Sequence, residues 1–137
     1  MLAAVAPVLS GFLGSFFTFA GVSKTTPLTS MSAEMQQGFR GGAWSAIWGL
    51  PGLPFLYAVG VTEIITGLGL LGWVAGMTPQ PYAQWCALIP ALITLGATTS
   101  HIIKGDGNWP FCLVMFSLFS INSFAMAASR NAEVKAL

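Results

Sequence analysis

Glu63 has more chemistry to offer than any other residue in the chain, because nothing near it in sequence is charged. Between residues 41 and 103 there is no other Asp, Glu, Lys or Arg. It stands inside a long apolar run, roughly 12 Å deep at 1.5 Å of rise per residue. An ionised carboxylate at that depth is expensive, so such residues turn inward and find a partner, and they mark function by default. Gly60 and Gly67 share its helical face, where small residues let a second helix approach closely. Two readings stay open for Glu63: proton, ligand or pigment chemistry, or a buried helix-to-helix hydrogen bond.

Two further residues belong with it. Lys24 ends the first apolar run and is long enough to snorkel toward Glu63. His101 ends a later run, behind Thr98, Thr99 and Ser100. An intramembrane His can bridge helices, relay protons or ligate chlorophyll magnesium. With no second His and no paired Cys, it makes a poor metal site on its own. Cys86 and Cys112 start apolar runs that begin on opposite sides of a membrane. They are separated on the order of 20 Å, against the about 7 Å a disulfide tolerates. Both read as small apolar core residues.

Positioning such residues takes membrane helices. Of 137 residues, 55% are hydrophobic and 7% charged; net charge is +1 and mean hydropathy +0.75. A soluble domain carries about a quarter charged residues. There is no basic patch to meet phosphates, so nucleic acid is excluded as a partner. Disorder is excluded by the hydrophobicity. A membrane helix needs about 20 mostly apolar residues, and four segments qualify: 2–22, 55–76, 82–103 and 109–128. Their unbroken apolarity argues against a β-barrel, whose strands alternate. The predicted fold is therefore an all-α membrane protein, one domain over 1–137, built as a four-transmembrane-helix bundle in a lipid bilayer.

Prolines and glycines punctuate the spans at the same places. Thr25-Thr26-Pro27 stops the first, Pro51 and Pro54 precede the second, and Pro79-Gln80-Pro81 links the second and third. Gly105-Asp106-Gly107-Asn108 forms a turn before the fourth, and Pro90 is expected to kink the third. The first span reads as a membrane helix rather than a cleaved leader, lacking a basic start. The loop over 23–54 is predicted to hold one short interfacial helix. Ser30 or Ser32 would cap it, Glu34 would lie in its first turn, Met31, Met35 and Phe39 on one face, and Gly41-Gly42 would break it. Trp44, Ile47 and Trp48 form a second apolar patch. Arg130 and Lys135 on one side face Lys24, Arg40 and Lys104 on the other, which leaves orientation open.

Connectivity puts Lys24, Glu63, His101 and Lys104 in one membrane half. No phosphate-binding loop, H-E-x-x-H or G-x-S-x-G is present. Gly67-Leu68-Gly69-Leu70-Leu71-Gly72 matches a dinucleotide fingerprint in letters, but inside a membrane helix it reads as a packing face.

The order of motifs points to a family. The first span ends Phe19-Ala20-Gly21-Val22-Ser23-Lys24, and the long loop closes with Gly49-Leu50-Pro51. The second span carries Gly60-x-x-Glu63-x-x-x-Gly67, then Leu70-Leu71-Gly72. The third ends in a His, and the fourth begins with an aromatic residue. From Phe17 to Ser129 the chain resembles the DoxX-like family of small four-helix membrane proteins. The resemblance implies Lys24, Glu63 and His101 as the family-like polar positions, and links to quinone-dependent sulfur oxidation or redox-stress complexes. Three functions follow as expectations. The first is a non-catalytic accessory subunit of a larger respiratory or photosynthetic membrane complex, in contact with other membrane subunits. The second is a component of a quinone-linked oxidoreductase, with Glu63 handling protons and His101 contacting the quinone. The third is a pigment-binding element, with His101 or Glu63 on chlorophyll and carotenoid or quinone at the periphery. Thylakoid, mitochondrial inner and bacterial cytoplasmic membranes all suit such a chain.

Overall fold

The computed structural model describes residues 2–40 and 42–136, with side chains from 4 to 130 except at 31, 41 and 43. Gly41 and the side chains of Met31 and Lys135, used in the sequence reading, lie outside the described residues. Six helices follow one another: α1 (Leu2–Thr25), α2 (Ser30–Arg40), α3 (Ala43–Trp48), α4 (Gly52–Val74), α5 (Gln80–Lys104) and α6 (Trp109–Ala136). Four of them contain segments long and apolar enough to cross a membrane: Ala4–Thr25, Gly52–Val74, Gln80–Lys104 and Trp109–Arg130. The protein is an all-helical, multi-pass integral membrane protein.

The spans run a few residues further than hydropathy alone suggests, because polar side chains satisfy their ends. Thr25 and Thr26 hydroxyls donate to the carbonyls of Gly21 and Val22, which carries α1 past residue 22 to Thr25. α4 starts at Gly52 and takes Pro54 into its first turn, where a missing amide costs nothing. α5 likewise takes Pro81 into its first turn and continues through the buried Pro90.

The first loop differs from expectation in two ways. It holds two short helices, α2 and α3, rather than one. The cap of α2 is Thr29, whose hydroxyl accepts the Ser32 amide at 3.1 Å; Glu34 lies beyond the first turn. Met35 and Phe39 do turn inward, joined by Ser32 and Gln36. The apolar patch of Trp44, Ile47 and Trp48 becomes α3 because left-handed Gly42 (φ 83°) and Gly49 (φ 65°) bracket it.

α1 packs along α4 and α5 along α6, and the two pairs meet through α4 against α5 and α1 against α6. The α1–α4 contact is an interlock of four glycines. A Cβ on Gly14 would stand 2.8 Å from the Gly67 carbonyl oxygen, and one on Gly60 would stand 3.0 Å from the Gly21 carbonyl. These distances are at or below the closest approach of real Cβ atoms, so glycines let these backbones touch. In the half away from α2 and α3, the two pairs are tied together. There Ser10 and Asn122, both fully buried, hydrogen-bond across α1 and α6, and Cys86 lies against Gly69; nearer the middle of the bundle Phe17 meets Phe119 edge-on at 4.4 Å. In the other half the pairs part around a space that residues of α2 and α3 help to line.

Candidate functional site

The divergence leaves a cavity of about 1170 Å³. Aromatic and aliphatic side chains form most of its wall, among them Phe16, Phe55, Ile93 and Met115. Its ion-paired side chains fall in two sets, one within the bundle and one at its rim. All four polar residues that connectivity assigns to this membrane half, Lys24, Glu63, His101 and Lys104, line it.

The inner set is an ion pair. Lys24 Nζ lies 2.6 Å from Glu63 Oε2, with the side chains 17% and 4% exposed. The glycine interlock makes this contact possible. Gly21 and Gly60 bring α1 and α4 together one turn before Glu63, and the Lys24 Cβ rests over Gly60. Lys24 leaves α1 at its last turn, so its stem can run along α4 while its ammonium reaches the carboxylate. The Gln36 amide lies at the limit of hydrogen-bond distance, 3.5 Å, from the Lys24 backbone carbonyl.

The rim set is organised by Asp106. His101 Nδ1 lies 2.8 Å from both carboxylate oxygens, Lys104 Nζ 2.9 Å from one of them, and the Asn108 amide donates at 3.2 Å. A carboxylate only accepts, so Nδ1 carries the proton and Nε2 is the ring nitrogen left for other partners. Trp44 completes the cluster. It stacks on Phe39 at 4.7 Å, meets His101 edge-on at 5.4 Å, and has the Lys104 ammonium 4.9 Å above its ring.

His101 therefore does not join the Lys24–Glu63 pair; the turn after α5 supplies it with its own carboxylate. The sequence reading passed over Asp106 as a turn residue, although its place five residues after His101, between two glycines, was the available signal. It also passed over Asn122, an amide in the middle of an uncharged apolar span, and named Ser100 without its partner, Trp48 in the distant α3. The thiols of Cys86 and Cys112 are free.

Asp106 gives the rim a pH dependence. Slight burial pushes its carboxyl up, but the hydrogen bonds from Lys104, His101 and the Asn108 amide outweigh this and hold it well below the usual carboxylate range. A depressed folded value means that its stabilisation is present above the unfolded value of about 3.9. That contribution is lost as pH falls through the lower folded value. Asp106→Asn is expected to lower the thermal midpoint at neutral pH and to flatten the acid side of its pH profile. Superimposable profiles for the two proteins would remove Asp106 from this role.

These features define a class: a multi-pass four-helix membrane protein whose helix pairs part around an apolar cavity with an ion pair in its wall. The family model described as the DoxX-like family matches residues 8–122, a stretch that includes Lys24, Glu63, His101 and Asp106. The chain belongs to the DoxX-like family. A comparison with curated proteins finds no match.

Proposed function

We propose that the protein is a non-catalytic accessory subunit of a larger respiratory or photosynthetic membrane complex, and that its cavity holds a quinone for that complex. The observation that carries this reading is the cavity itself, apolar along its walls and polar at two sites. Small-molecule sites share this design, with mostly hydrophobic linings and a few placed polar groups that fix orientation. A quinone ring offers carbonyl acceptors to such groups and an apolar body to Phe16, Phe55 and Met115. Of the ionisable side chains on the wall, Lys24 is engaged with Glu63, and His101 and Lys104 with Asp106. Such a wall orients a ligand without being consumed by it. The outward faces of the spans, rich in Phe, Leu and Ile, suit lipid and neighbouring membrane subunits.

A second reading rests on the ion pair facing the cavity: a membrane component of a quinone-linked oxidoreductase, in which Glu63 passes protons to the bound ring. The same preparation tests both. The protein is extracted from its own membrane in mild detergent, its particle mass and absorption spectrum are recorded, and its quinone is extracted and quantified. A large particle carrying quinone is expected. Glu63→Gln and His101→Ala should each lower bound quinone about tenfold, the worth of roughly 1.4 kcal/mol of lost contact. A small particle without quinone would overturn the proposal. A chlorophyll band that His101→Ala abolishes would replace quinone by pigment.

A further inference from the structure

We propose that the end of the bundle away from the cavity binds the headgroup of an anionic phospholipid, in a groove between α5 and α6 with Arg130 as its cation. The groove measures about 330 Å³ and is lined by Pro81, Gln84, Trp85 and Leu88 of α5 and by Arg130 of α6. It lies at the opposite end of α5 from His101, so it is separate from the quinone site and its test needs no quinone.

Local contacts place the cation. α5 and α6 pack along one another, and the Gln80 side-chain amide donates to the Met126 carbonyl at 2.6 Å. That bond pins the start of α5 to α6 one turn before Arg130, which ends the span Trp109–Arg130. The guanidinium is thereby held at headgroup level beside the first turns of α5. Pro81, Gln84 or Trp85, and Leu88 recur at helical spacing, so they share one face. That face changes character with depth. Arg130 and Gln84 are polar, while Leu88, about 10 Å deeper than Pro81 at 1.5 Å per residue, is apolar, and the exposed Leu92 continues it inward. A phospholipid has the same gradient, phosphate outward and acyl chains inward. Tyr82 and Trp85, 68% and 62% exposed, set aromatic rings at the same level, where amphipathic rings prefer to sit.

The charge of the site selects the lipid. Among the described side chains Arg130 is the only charged one in this half of the bundle and enters no ion pair. Glu133 and Lys135, which follow it in sequence, offset one another. A guanidinium stays charged and presents paired donors that match phosphate oxygens, and Gln84 adds an amide. A zwitterionic lipid brings its own ammonium beside the phosphate, which weakens the attraction; an anionic lipid does not.

The full chain is purified in mild detergent and titrated with phosphatidylglycerol or phosphatidylcholine, and bound lipid is counted by native mass spectrometry. Phosphatidylglycerol is expected to bind more tightly. Arg130→Gln should weaken it about fivefold, the factor that one basic residue near an anionic headgroup represents, and leave phosphatidylcholine within about twofold. Arg130→Lys, which keeps the charge without the paired donors, should fall between. Arg130 is exposed at a helix end, so the thermal midpoint of both variants should stay at that of the parent. Unchanged phosphatidylglycerol binding by Arg130→Gln would overturn the site. Equal weakening by Arg40→Gln, an exposed cation at the end of α2, would also overturn it, since that reports diffuse attraction to any basic residue. Excess inorganic phosphate should leave the lipid bound; its displacement would show an anion site in which the apolar wall has no part, and would overturn the phospholipid.

Discussion

Lys24→Met is expected to destabilise the bundle by about 3–5 kcal/mol, because removing one partner of a buried ion pair strands the other. The stranded group is Glu63, whose side chain is 4% exposed and which sits three turns into α4. Glu63→Leu should cost less. Lys24 lies in the last turn of α1 and, freed from its partner, can extend toward the membrane surface. The double variant Lys24→Met/Glu63→Leu should recover most of the loss, since apolar replacement of a whole buried pair is often neutral. Unfolding of all four proteins in mild detergent completes a double-mutant cycle. The defect of Lys24→Met should also shrink at acid pH, where a neutral carboxyl group is cheaper to bury than a carboxylate. Additive single effects would show that the two side chains do not interact. Normal coupled activity in a folded double variant would remove any proton role from Glu63.

Gly21→Leu carries the second large effect. A Cβ there would collide with the Gly60 backbone carbonyl, and would stand 2.8 Å from Ile64. A backbone neighbour cannot move aside as a flexible side chain can. The expected cost is about 3 kcal/mol, the upper end of ordinary overpacking, with α1 displaced from α4 and the Lys24–Glu63 contact broken. Gly11→Ala is the matched control, on the same helix but with nothing within 4 Å of its Cβ; it should leave stability within about 0.5 kcal/mol. Thermal midpoints of the two variants decide the matter. Equal midpoints would mean that α1 and α4 do not touch through their glycines.

These two experiments probe features that differ in how far the sequence exposes them. The Glu63 depth, the Gly60 and Gly67 face and the reach of Lys24 were all legible, because each depends on spacing along one helix or on which ends share a membrane side. Half of the glycine interlock was legible in the same way. The other half, Gly14 and Gly21, needed the rotation of α1 about its own axis, and the nearly uniform apolarity of that helix conceals it. His101 illustrates the opposite failure. Its type and place marked it as important, but its partner is Asp106, in a turn that composition alone presents as a link. α3 was visible only as an apolar patch; left-handed Gly42 and Gly49 make it a separate helix.

The sequence by itself determined the number of spans, their approximate ends, the all-helical class and the membrane half that collects the polar residues. Those properties follow from the length of apolar runs and from chain connectivity, which are one-dimensional. The cavity, the separation of its ion pairs into an inner pair and a rim cluster, and the Trp48–Ser100 hydrogen bond were decided by the tertiary structure. They depend on how far two helix pairs part and which faces they present. That is set by contacts such as Ser10 with Asn122 and Gly14 with Gly67, between residues too distant in sequence for any local pattern to join them.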